Sequence, residues 1–182
     1  MFNLNDASDK LQTTYQKPGI ANITITGVVL EETNLNKVPY IRLTTKSDAG
    51  DQGTSGRMFL STDKKPDKKT TGWAITARNL VDIISASHNV SDDEAKAMIK
   101  AGNPTELVTK LSATLVGRKL RAKFKGETGS TGAVYATLDR VESLNVPQES
   151  TSLRFDATRD IKPYTGPTVT EVSTESAADL PF

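Results

Sequence analysis

The chain has no cysteine, one histidine and one tryptophan, and aromatic residues make up only 5% of its 182 positions. Without cysteine there is no disulfide and no thiolate metal site, a composition that fits a reducing compartment. His88 has no second histidine to complete a metal shell, so it reads as an ordinary polar residue at a helix end. No apolar run approaches the roughly 20 residues that span a bilayer. The opening Met1-Phe2-Asn3-Leu4-Asn5-Asp6 lacks the basic and apolar regions of a signal peptide, so the expected location is the cytoplasm, with no membrane partner. The glycine loop 126–132 lacks the Gly-Lys-Ser/Thr of a phosphate cradle and precedes a strand pattern, so a hairpin is expected there. Asp92, Asp93 and Glu94 stand at a predicted helix start, where carboxylates favour the dipole. No catalytic constellation is visible and no cofactor or metal is implied, which points away from an enzyme.

Charge is present, and it is divided along the chain. Residues 149–182 hold six acidic and three basic residues, and nothing basic follows Lys162. The first 148 hold 20 basic against 16 acidic residues, so a body of about +4 is joined to a tail of about −3. Glu171, Glu175 and Asp179 line that tail, whose tip is Asp179-Leu180-Pro181-Phe182. Such a segment cannot build a core, but it can place one aromatic ring in a partner's pocket while basic residues there receive the carboxylates.

This acidic, Ser/Thr-rich ending resembles the Asp-(Ile/Leu)-Pro-Phe ending of bacterial single-stranded-DNA-binding proteins and of some phage counterparts. The resemblance covers about ten residues closely. It implies an OB-fold body that coats single-stranded DNA in replication, recombination or repair, and a tip that recruits the proteins of those processes. The body has no evident match to the bacterial sequence, which points to a phage- or plasmid-type member.

The body supports that expectation in its own terms. Residues 1–19 form an irregular arm ending at Lys17-Pro18-Gly19. From Ile20, Ile23 and Ile25 share the parity of Gly27 while Val28 and Leu30 fall on the other, which predicts a strand with a bulge at the glycine. Ile41 and Leu43 alternate with Tyr40, Arg42, Thr44 and Lys46, and Met58 and Leu60 alternate with Arg57 and Phe59. Between these two strands, residues 48–53 read as a link. Lysines 64, 65, 68 and 69 crowd a loop before Trp73. A helical insert is predicted over about 74–115, with a capping box at Ser91 and Glu94 and a helix opening at Asn103-Pro104. Residues 119–125 place Leu120, Ala122 and Phe124 on one face and Lys119, Arg121, Lys123 and Lys125 on the other; a final strand follows over 133–141.

The resulting expectation is a five-stranded OB-fold barrel over residues 20–146, mainly β, with two or three helices between strands three and four. Residues 147–182 are expected as a flexible linker and a disordered acidic tail. That fold binds oligonucleotides on the face of its second and third strands. Single-stranded DNA requires exposed rings for stacking and cations for phosphates. Tyr40, Phe59, Trp73 and Tyr135 are the candidate platforms. Arg42, Lys46, Arg57, Lys119, Arg121, Lys123 and Lys125 are the candidate phosphate contacts. Four like charges on one strand face repel one another unless an anion offsets them, so a bound polyanion is expected over residues 119–125. Without DNA, the acidic tail could occupy the basic groove. The competing functions are an RNA-binding OB protein and a structural or adaptor protein of a phage particle.

Overall fold

Inward-facing apolar residues at period two build the first long strand, β1 (Gly19–Glu32), where Ile23, Ile25 and Val28 are buried. The computed structural model describes residues 14–63 and 70–166. Along β1 the pairing with β2 (Pro39–Ser47) slips between Ile25 and Gly27, leaving Thr26 as the extra residue. This bulge lets both Ile25 and Val28 face the core, as the change of parity predicts.

The chain then differs from expectation. A four-residue strand, β3 (Gln52–Ser55), forms in the stretch read as a link, and only Met58–Phe59 (β4) is extended in the stretch read as the third strand. Hydroxyls hold β3 in place of apolar bulk: Leu43 N–H donates to Ser55 Oγ at 3.0 Å, and Ser55 O–H donates to the Gly56 carbonyl at 2.9 Å.

Three helices follow. α1 (Gly72–His88) begins at the Thr71 cap and buries Thr76, Leu80, Ile83 and Ile84. α2 (Asp92–Met98) carries the complete Ser91/Glu94 capping box, which accounts for the acidic cluster at its start. α3 (Pro104–Leu115) opens with Asn103 as cap and proline in the first turn, and buries Leu107, Leu111 and Leu115.

Two further strands, β5 (Lys119–Thr128) and β6 (Val134–Glu142), form the hairpin around the glycine loop. β5 also pairs with β1, and β6 pairs parallel with β3 through Thr54↔Thr137 and Ser55↔Leu138. The circuit β1-β2-β3-β6-β5-β1 is therefore closed. A closed five-stranded barrel with mixed pairing and helices between its third and fourth strands is an OB-like fold. Its interior is filled by Ile23, Ile25, Ile41, Leu43, Leu120 and Phe124, all buried.

Residues 147–162, expected as linker, instead fold back on the barrel. A short 3-10 turn (Gln148–Ser150) leads to α4 (Ala157–Asp160) and to β7 (Ile161–Lys162), which pairs parallel with β5 at Gly126↔Ile161. Hydrogen bonding and ion pairing drive this, since Leu153 is the single buried apolar residue of the segment. At the other end, Tyr15 bridges Gln52, and Gln16 N–H donates to the Gln52 carbonyl at 2.7 Å. The rest of the arm, the Lys64–Lys69 cluster and the Asp179–Phe182 tip lie outside the described residues.

Candidate nucleic-acid interface

On a strand, residues two apart lie about 7 Å from one another on the same face. With Ile41, Leu43, Thr45 and Ser47 turned inward, β2 therefore presents Tyr40, Arg42, Thr44 and Lys46 in a row on the barrel's outer surface. β4 sets Phe59 opposite Tyr40, and their ring centroids stand 5.8 Å apart with planes tilted by 60°. The guanidiniums of Arg42 and Arg57 lie 5.7 and 5.3 Å from the Tyr40 ring centroid, within cation–π range. Arg42 also pairs with Glu31 at 3.1 Å.

Tyr40 is consequently only 5% exposed and braces the cluster instead of offering a bare face. Phe59 is half-buried and Arg57 is exposed. Both border a cleft of about 910 Å³ that is walled by the β1–β2 loop and the start of α1. At its rim stand Leu35, 94% exposed, and Ile75, 55% exposed. The first turn of α1 is tied to the strands at this point: Trp73 N–H donates to the Ser61 carbonyl at 2.9 Å, and Thr76 O–H to the Phe59 carbonyl at 2.7 Å.

Lys46 and Lys119 come together at the other end of the barrel. Both are exposed and both stand opposite Thr24, Lys46 from β2 and Lys119 from β5. Lys46 also faces Gln52 on β3. Tyr135, 62% exposed, stands opposite Glu127 on β5, at the far end of that strand from Lys119. Trp73 is the candidate set apart. It packs against the core and borders a small pocket with Leu60, Ile99 and Leu107.

Lys119, Arg121, Lys123 and Lys125 do project from one face of β5 while Leu120, Ala122 and Phe124 are fully buried. The anions that offset three of these cations, however, belong to the chain itself. Arg121 is 7% exposed, pairs with Glu142 at 3.1 Å and donates to the Val146 carbonyl at 3.0 Å. Lys123 pairs with Asp160 at 2.8 Å, and Lys125 with Asp139 at 2.8 Å. In the folded chain β6 and the returning segment thus supply the anions that offset these three cations. Only Lys119 of the four has no ion pair among the described residues.

The protonation states follow from these contacts. Burial opposes ionisation of Glu142, but hydrogen bonds from Thr151, Ser152 and Arg121 outweigh it and hold the carboxyl down at about 2. The Lys123 hydrogen bond, with one from the Asp156 backbone, likewise lowers Asp160. His88, at the end of α1, is lowered by burial and by the charge of Arg118.

Sequence reasoning missed Glu142, Asp139 and Asp160 as partners of β5, and missed Arg78 and Arg140 as surface cations. Asp139 stood in the strand predicted over 133–141 and Glu142 just past its end, where opposite charges can face each other across a hairpin. Arg78 lies one helical turn from exposed Ile75, on the face of α1 opposite Leu80 and Ile84.

In comparison with known proteins, no family model matches the chain and no curated protein matches it in sequence.

Proposed function

We propose that this protein binds single-stranded DNA along the outer face of β2, without strong sequence preference, as a coating protein of replication, recombination or repair. The observation that carries the reading is the row Tyr40, Arg42, Thr44, Lys46 on the second strand of an OB-like barrel, with Phe59 and Arg57 beside it. Cations at both ends of the row take phosphates, and the cleft beside Phe59 accepts a base. Arg57, which forms no ion pair with a described carboxylate, can turn its guanidinium to a phosphate while keeping its plane on Tyr40.

The Asp179-Leu180-Pro181-Phe182 segment is proposed to recruit partner proteins of the same processes, as its resemblance to the bacterial and phage endings implies. In the absence of DNA, the acidic stretch before it competes for the cationic row.

The test is a titration of the full chain with fluorescent single-stranded, double-stranded and RNA oligomers at several salt concentrations. The reading expects tightest binding to single-stranded DNA and a steep fall with salt, each neutralised phosphate adding about 0.7 to the logarithmic slope. Tighter binding to matched RNA would replace it with an RNA-binding function, and no binding to any oligomer would leave the phage adaptor. Deleting the last eight residues should tighten DNA binding at low salt and abolish partner capture; weaker binding after deletion contradicts the competition.

A further inference from the structure

Arg57 also borders a second cleft, of about 900 Å³, bounded by α1 and β6. Arg57, Thr70 and Ile75 line both clefts, so the two spaces adjoin at the Arg57 side chain. Arg78 from α1 and Arg140 from β6 line the second cleft, are exposed, and form no ion pair with a described carboxylate.

A bulge contributes to this arrangement. The β5–β6 register passes from Lys123↔Arg140 to Phe124↔Leu138, so Asp139 is the extra residue on β6. Its carboxylate engages Lys125, and Arg140 borders the cleft. Three carboxylates share the lining. Asp139 is held by Lys125 at 2.8 Å, Asp92 accepts the Ser85 hydroxyl at 3.2 Å, and only Asp82 has no such engagement. With Asp139 neutralised, three guanidiniums face two carboxylates and the wall keeps a positive excess.

We propose that the helical insert is part of the nucleic-acid path: a bound single strand continues from the Tyr40–Phe59 cleft past Arg57 into the α1–β6 cleft, where Arg78 and Arg140 take its phosphates. This rests on the single-stranded-DNA reading above and extends it from one barrel face to a bent route. Each guanidinium offers a planar fork of donors that matches a phosphate, and exposed Ile75 at the junction offers apolar surface to a base.

The experiment uses the full chain and oligothymidylates of graded length in an anisotropy titration over salt. The Arg78→Ala/Arg140→Ala variant should bind the shortest oligomers as the unmodified chain does. For long oligomers its logarithmic salt slope should fall by about 1.4, at about 0.7 for each single-strand phosphate that is no longer neutralised. Arg78→Lys/Arg140→Lys should restore the slope. An unchanged slope at every length overturns the extension, while failure of the unmodified chain to bind any single strand overturns the parent reading. Should the alanine variant not fold by circular dichroism, a second readout decides. The chain has no cysteine, so Asn79→Cys, in the lining of the second cleft, takes a single fluorescent label. A change in its emission on binding long but not short oligomers supports the route, and no change at any length overturns it.

Discussion

Arg121 and Glu142 face each other across the β5–β6 hairpin at 3.1 Å, and the same carboxylate receives Ser152 N–H at 2.8 Å. One buried ion pair thus joins β5 to β6 and, through Glu142, to the returning segment. Because the folded Glu142 titrates at about 2, below its ordinary value of 4.5, its contribution is fully present above about pH 4.5. It is lost as pH falls toward 2, and Asp160, also lowered, acts with the same sign. Glu142→Gln should cost about 3 kcal/mol at neutral pH, since it leaves Arg121 buried without its partner. Urea unfolding between pH 7 and pH 2 should show a flatter dependence for the variant; identical pH dependences would refute the assignment.

Among the four cations of β5, stability and DNA binding should separate. Lys123→Ala should lower the melting temperature, because it leaves Asp160 without its 2.8 Å partner, and should leave the salt slope of binding unchanged. Lys119→Ala and Lys46→Ala should keep the melting temperature and each reduce the slope by about 0.7. The reverse pattern would show that the pairing with the returning segment opens when DNA binds.

Trp73 is the chain's lone tryptophan and borders the pocket formed with Leu60, Ile99 and Leu107, whereas Phe59 borders the proposed base cleft. Addition of single-stranded DNA should leave Trp73 emission almost unquenched. In a Trp73→Phe/Phe59→Trp protein the new indole should be quenched strongly. Phe59→Ala should weaken binding by about 1–3 kcal/mol, the range for one stacked base. Strong quenching of Trp73 in the unmodified chain would move the interface to the α2–α3 side.

Gly53 on β3 occupies a position that admits no side chain. A Cβ built there stands 2.8 Å from Thr45 Oγ1 and 3.1 Å from the Phe124 ring. Gly53→Val should therefore destabilise by about 1–3 kcal/mol through overpacking at the barrel centre. Thermal melts check this, and a stability within error of the unmodified chain would show that β3 yields without cost.

Where periodicity carries the information, the chain is readable residue by residue. Leu120, Ala122 and Phe124 turn inward, the strand bends at Thr26–Gly27, and the helices start at Ser91 and Asn103, each because local geometry leaves few alternatives. Gln52–Ser55 is not readable in this way. Its residues are polar, and their extended form depends on Leu43 and on β6, which are distant in sequence. Residues 147–162 escape notice for the same reason, since an ion pair such as Lys123–Asp160 has no signature in either partner's neighbours along the chain.

The inward faces of β1, β2 and β5, the helical insert, and the cationic outer face of β5 were set by the sequence alone, because side-chain alternation is a property of each segment. Which cations remain for a ligand was decided only in three dimensions. Folding brings Glu142, Asp139 and Asp160 over β5 and leaves Lys46, Arg57, Arg78, Lys119 and Arg140 without a described carboxylate partner. Charge neutralisation depends on distance through space, and the closed barrel creates those distances.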